Sequence, residues 1–447
     1  MPVRGHRVAV VVALVVLVAA GVAVAAVRLR HGCGSAVHSL SAAASSSPFL
    51  DADQRAQQPD ANRDTLVRTL EADPPPFGEV LGAVGYHYEQ WAHVSAFAQG
   101  IGVRTRDNPD FTMLDDTTLQ PRWSVQVRTN RSTYDASDRR YLVATMPSNS
   151  APDLVSLDAG NGKRVWCTTL DGSTVRPDDA FATYVLDDQD VAVLRPASGE
   201  REQLLRLDGR DGSQMWQRTL DADSGDFLGD MGDGTLLVGG RPQFELLDPA
   251  SVQRPAGPSL VLVSARDGRT IWTRPAGAGV GVHVLGTDPD TRTAFLQERN
   301  AATRSTRLIS IDRAGHQVWS VDPAGGTTVD AALRSGRVLV RAGNRWSAYA
   351  ADDGRRLWTR LVPAKPQFLP YGFQLDDVSM LDDDHALIGG TNGLHTLALA
   401  TGTMTSAPLP TDGINTTYWP YEVAVSPGLI AVATNTGAVV VRRARGQ

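Results

Sequence analysis

Residues 156–166 read SLDAGNGKRVW, and fifty residues later 206–216 read RLDGRDGSQMW. Both place an apolar residue and an Asp before a turn, a Gly at the end of it, and a Trp four positions beyond the Gly. The apolar run ahead of the turn reads as a strand. The Asp side chain bonds its own backbone to start the turn, and Gly takes a positive φ at little steric cost. A second strand then carries the Trp at a fixed offset, so every copy presents its Trp on the same face.

The cassette recurs. Gly and Trp stand four apart at Gly162/Trp166, Gly212/Trp216, Gly268/Trp272, Gly315/Trp319 and Gly354/Trp358. Degraded copies are Leu119/Trp123, where the Gly is lost, and Gly402/Ser406, where the Trp is lost. Intervals between fourth-position residues are 43, 50, 56, 47, 39 and 48. Leu114, Leu157, Leu207, Val263, Ile311, Tyr349 and Leu397 stand just before the turns. Upstream of each lies another turn and apolar strand, such as RRYLVAT at 139–145 or GRVLVRA at 336–342, with a weaker run before it. Four short strands in roughly 45 residues is the spacing of propeller blades.

The ends set the blade count. Residues 421–444, YEVAVSPGLIAVATNTGAVVVRRA, supply three strands and no fourth. GEVLGAVG at 78–85 is free to fill that vacancy, which would pair the two ends and remove an open sheet edge. WAHVSAFAQGIGVRT at 91–105 supplies the inner strands of the first blade. The expectation is an all-β, eight-bladed propeller over residues 78–447, with seven blades as the alternative if 85–110 are irregular.

The pattern LDAGNGKRVW, with its variants LDGRDGSQMW, SARDGRTIW and AADDGRRLW, resembles the repeat of the pyrroloquinoline-quinone (PQQ)-like β-propeller family. The resemblance implies that Trp123, Trp166, Trp216, Trp272, Trp319 and Trp358 pack between neighbouring blades as a structural girdle. It also implies that Gly162, Gly212, Gly268, Gly315, Gly354 and Gly402 lie in the turns before the outer strands. One branch of the family holds quinoprotein dehydrogenases, which oxidise alcohols or sugars with PQQ and Ca²⁺ at the propeller centre. Another holds non-catalytic scaffolds, such as the propeller lipoprotein of the Gram-negative outer-membrane barrel assembly machinery. The vicinal Cys-Cys of many alcohol-oxidising members is absent, as is any C-x-x-C-H for a covalent haem.

Outside the repeats, residues 8–27, VAVVVALVVLVAAGVAVAAV, form an apolar run of bilayer-spanning length. Arg4 and Arg7 precede it and Arg28 and Arg30 follow it. The expected arrangement is a short cytoplasmic segment at 1–7, an uncleaved membrane anchor at 8–27 and an extracytoplasmic C-terminal domain. The rival is a cleaved signal peptide ending near AVA at 23–25. Residues 28–77 read as a flexible linker with a short helix over 60–76. Cys33 and Cys167 fit a disulfide in an oxidising compartment, or two unrelated thiols. Arg supplies 41 of the 43 basic residues, a usage typical of a GC-rich bacterial genome. A net charge of −6 leaves no basic footprint for nucleic acid.

Chemistry-bearing motifs are few. There is no G-x-S-x-G, H-E-x-x-H, P-loop or EF-hand-like loop. LDDDH (381–385), LDDQD (186–190) and TDPDTR (287–292) concentrate carboxylates, and each falls where a repeat needs a solvated turn. His395 sits within a strand run. Tyr86, His87, Tyr88 and Trp91 form one aromatic cluster, and Tyr418, Trp419 and Tyr421 another, for cementing closure or for a partner. No residue is expected to be catalytic or to bind a cofactor or metal. The expected function is a non-catalytic scaffold at the bacterial cell membrane that binds a protein or envelope partner. The alternatives are a PQQ/Ca²⁺-dependent dehydrogenase and a ligand-sensing module acting through a membrane partner.

Overall fold

The computed structural model describes residue 33, residues 37–40 and 49–71, and residues 77–444 apart from connecting segments, the longest being 171–181, 241–257, 362–378 and 409–421. The apolar run 8–27 and both aromatic clusters lie outside the described residues. Among the described residues no helix is long and apolar enough to cross a membrane.

The strands form eight antiparallel sheets, each the blade of an eight-bladed propeller. Blade 1 runs outward through Ala92–Phe97, Gly100–Thr105, Asp110–Asp115 and Pro121–Val127. Strands therefore occupy the region whose irregularity would have left seven blades. The outer strands of blades 2–7 are Arg164–Thr169, Gln214–Leu220, Thr270–Pro275, Gln317–Val321, Arg356–Leu361 and Met404–Pro408. Blade 8 takes Glu422–Ser426, Leu429–Ala433 and Ala438–Ala444 from the C-terminus. Its fourth strand is Phe77–Gly85, which pairs antiparallel with Ala438–Ala444 through Ala83↔Val440 and Val84↔Val439.

The core lies between blades. The middle strands are buried on both faces, as in Thr235–Gly239 and Leu429–Ala433, where no residue reaches the surface. Near-continuous apolar runs such as LIAVA satisfy that environment, since a blade has a neighbour on each side. Each outer strand breaks the pattern, reading exposed–exposed–buried at Arg164, Val165 and Trp166.

Residues 37–40 and 49–71 differ from the flexible linker expected there. Strand β1 (Val37–Leu40) adds a fifth strand to blade 1, antiparallel to Pro121–Val127 with Val37 opposite Val127. Helix α1 (Ala52–Gln57) begins with a capping box between Asp51 and Gln54. Helix α2 (Ala61–Glu71) starts at Asp60, whose carboxylate accepts from the Arg63 backbone N–H at 2.9 Å. Leu66, Val67 and Leu70 of α2 bury against Ile430, Val432 and Val440 of blade 8 and Leu387 and Leu394 of blade 7.

Candidate functional site

The cassette residues form one joint repeated around the disc. At Asp158 the carboxylate accepts from the N–H groups of Gly160 and Asn161, both at 3.0 Å. The Gly162 N–H closes the turn onto Asp158 O at 2.8 Å, with Gly162 at φ +66°. The outer strand then begins with a bulge: Arg164 pairs with Leu157 and Trp166 with Ser156, so Val165 opposes nothing. The same shift precedes Trp216, Trp272, Trp319, Trp358 and Trp123. By re-aiming the strand, the bulge turns each indole toward the next blade.

Each of the six indoles donates Nε1–H to a backbone carbonyl in the following blade's turn. Trp123 reaches Ala159 O at 2.8 Å, Trp166 reaches Gly209 O at 2.9 Å and Trp216 reaches Ala265 O at 3.1 Å. Trp272, Trp319 and Trp358 reach Arg313 O, Ala351 O and Leu399 O at 2.8, 2.8 and 2.6 Å. The ring faces lie on the turn glycines of that same blade. A Cβ at Gly162 would stand 2.7 Å from the Trp123 ring, and one at Gly354 would stand 2.7 Å from Trp319. At Gly212, Gly268, Gly315 and Gly402 the nearest ring atoms of Trp166, Trp216, Trp272 and Trp358 are at 2.6, 2.8, 3.3 and 2.5 Å. Gly serves two ends, the positive φ of its own turn and room for the previous blade's indole.

The seam between blades 8 and 1 inverts this arrangement. Blade 8 has no Trp on its outer strand; Gly82 of the Phe77–Gly85 strand stands there instead. The large groups come from the other side: Phe49 Cβ and Leu119 Cδ1 would be 2.9 and 3.2 Å from a Cβ at Gly82. Leu119 replaces the turn Gly of the first cassette and keeps its backbone geometry, at φ +56°. Toward the axis, the Val94 N–H donates to Glu422 Oε2 at 3.2 Å, joining the first strands of both blades.

The N-terminal segment straps this seam from outside. Cys33 is bonded to Cys167 on the outer strand of blade 2, with Cα atoms 5.8 Å apart. Arg164 Nη1 donates to Cys33 O at 3.2 Å. After β1 covers the edge of blade 1, Leu50 N–H bonds Ala83 O of blade 8 at 3.0 Å. The Arg442 guanidinium then donates to Leu70 O at the end of α2.

The acidic turns take different roles. In LDDDH the His385 ring nitrogen Nδ1 lies 3.0 Å from both Asp382 carboxylate oxygens, and Arg337 pairs with Asp384 at 3.1 Å. Burial opposes ionisation of Asp382, but hydrogen bonds from Asp384 N–H and His385 outweigh it and hold the carboxyl below its ordinary range. In TDPDTR, Asp288 accepts from the Asp290 and Thr291 N–H groups at 3.0 and 3.2 Å. LDDQD departs from the solvated turn expected of it, because Asp190 is buried. Its carboxylate pairs with Arg206 at 2.6 Å and accepts from the Gly209 N–H at 2.8 Å. Arg206 also donates to Ala265 O at 2.8 Å, the carbonyl that receives the Trp216 indole. No signal in the sequence distinguished Asp190 from the other carboxylates of that stretch, since its partner is sixteen residues away on the adjacent strands.

Among the described residues, the one convergence of three His, Cys, Asp or Glu side chains is Cys33, Asp153 and Cys167. Its two sulfurs are bonded to each other and offer no thiolate to a metal.

Eight blades of four strands each, six of their eight joints made by an indole-on-glycine contact written in the cassettes, define a propeller of the PQQ-repeat class. The family model described as outer membrane protein assembly factor BamB matches residues 74–241 and 257–447, and the chain belongs to that family. The fold is shared with BamB from Moraxella catarrhalis at 15% identity and a TM-score of 0.50, covering 81% of this chain and 98% of that one. Two further solved structures align with lower scores. The Dos1 propeller does so at 13% identity and TM-score 0.49, over 79% of this chain and 89% of that one. A quinohemoprotein alcohol dehydrogenase from Pseudomonas putida HK5 does so at 12% identity and TM-score 0.44, over 87% and 82%. No curated protein sequence matches the chain.

Proposed function

We propose that the protein is a non-catalytic, membrane-anchored, extracytoplasmic scaffold that uses its propeller to bind a protein or envelope partner. The observation that carries this reading is membership of the assembly-factor family across 74–241 and 257–447. The joint chemistry supports it. The Gly and Trp of every intact cassette serve blade-to-blade adhesion, and the turn carboxylates are spent on their own loops. Asp211 is held below its ordinary range chiefly by the Ser213 backbone N–H, and Asp267 chiefly by the Ser264 side chain. What such a disc offers a partner is its rim and its connecting loops, on a frame that deforms little. Residues 8–27 would serve as the anchor.

Calorimetric titration of the chain with PQQ in the presence of Ca²⁺, followed by a dye-linked assay against alcohols and sugars, tests this reading against the dehydrogenase. The expected result is no binding heat and no dye reduction. Tight one-to-one binding with turnover would overturn the scaffold.

A further inference from the structure

The outer strands of blades 1–7 hold six arginines and neither Asp nor Glu, on a chain whose net charge is −6. The residue preceding each Trp is put out of the ladder by the bulge. In blades 2–5 it is apolar and turned to solvent: Val165, Met215, Ile271 and Val318 are 38, 52, 42 and 50% exposed. The rim of blades 2–5 therefore presents one apolar side chain per blade, accompanied in blades 2–4 by an arginine of the same strand. That composition suits a surface both anionic and apolar just beneath, as a headgroup layer over acyl chains is.

Where the chain enters selects which blades meet that surface. Cys33 is bonded to the outer strand of blade 2, and only residues 28–32, RLRHG, separate it from the apolar run 8–27. So short a connection spans at most about 20 Å. With 8–27 in a bilayer, as proposed above, the rim of blade 2 is held beside the headgroups. The edge of blade 1 is already covered by β1. The open rim beside the tether is that of blades 2 and 3, where Lys163, Arg164 and Arg218 flank Val165 and Met215, all exposed. Successive blades of an eight-bladed disc turn the rim by about 45°, so a flat surface meets two neighbouring rims and not all four apolar positions. We infer that the rim of blades 2 and 3 docks on an anionic lipid surface and turns the edge of the disc toward the membrane, leaving the rims of blades 6 and 7 directed away. The inference rests on the anchored reading and adds an orientation to it.

Hydroxyl-radical footprinting of the full chain reconstituted in phosphatidylcholine nanodiscs, with and without phosphatidylglycerol, tests it. Val165 and Met215 are expected to be modified about fivefold more slowly in anionic discs than in detergent, with Ile271 and Val318 unchanged. Lys163→Glu with Arg218→Glu, both exposed positions, should abolish the protection while leaving the circular dichroism spectrum as it was. A chain retained in the discs but modified equally at Val165 and Val318 would overturn the docking and leave the anchor standing. A chain that does not enter discs at all would remove the anchored reading, and this inference with it. Equal protection in neutral discs would overturn the charge argument. Protection that grows with protein concentration in detergent would assign the rim to a second copy instead.

Discussion

At the residue scale, each turn Gly is required by its own backbone and by its neighbour's indole, and the two requirements can be separated. Gly162 has φ +66° with the Trp123 ring 2.7 Å from where a Cβ would be, whereas Gly234 has the same φ and nothing within 4 Å. Gly234→Ala should cost only the left-handed backbone penalty, about 1–2 kcal/mol. Gly162→Ala adds overpacking against the ring and should cost about 2–4 kcal/mol in urea unfolding. Equal losses at the two sites would refute the double role. Trp166→Phe should cost about 2–3 kcal/mol, because it removes one of the two donors to Gly209 O, leaving only Arg140, and shrinks a buried ring.

His395 gives a pH dependence at the same scale. Burial pushes its imidazole pKa down. The folded state then prefers the neutral ring, and the unfolded chain takes up the proton first. This contribution to stability is present above the unfolded value, about 6.5, and is lost as pH falls through the lower folded value. Unfolding midpoints measured from pH 8 to 5 should fall in the wild type, and His395→Gln should flatten the acid side of that curve. An unchanged slope would show that other groups set it.

At the element scale, the N-terminal strap is the feature that blade counting overlooked. It reads as a linker because Ser, Ala, Gln and Asp dominate 34–60, a composition without a strand or helix period. Its order comes from outside itself: an open sheet edge for β1, a disulfide partner 134 residues away, and an apolar groove for α2. The helix expected over 60–76 is the exception, since the Asp60 cap was visible in the sequence, and the structure shows it over Ala61–Glu71. Replacing both Cys33 and Cys167 by Ser should cost about 2–4 kcal/mol and speed proteolysis near residues 37–50 before the rest of the chain. Uniform proteolysis along the chain would deny the strap a separate identity.

At the scale of the whole molecule, closure makes eight similar units one cooperative object. The C-terminal blade is completed by Phe77–Gly85, so opening one blade separates the two ends of the domain and exposes the seam of Phe49, Val84, Leu114, Leu119 and Val439. Val84→Pro removes a ladder N–H of the closing strand, since Ala83 turns its backbone groups to Leu50 and its neighbour Val84 turns them to Ala438–Ala444, and should lower stability by about 3 kcal/mol or more. The loss is expected within a single denaturation transition. Two separated transitions would mean that the final blade melts by itself.

The sequence alone determined the repeat and the strand-rich class, because these are local, and the closing role of 78–85, because the last blade was left one strand short. A turn Asp, a Gly with positive φ and a Trp at fixed offset act within a dozen residues and recur, so repetition raises the signal above chance. The tertiary structure alone decided which group fills the space between blades. That Trp123 rests on Gly162, that Leu119 and Phe49 replace an indole at the seam, and that Asp190 is buried beneath Gly209 are contacts between segments far apart in the chain. Their energies depend on the distance between surfaces, a quantity that exists only once the disc has closed.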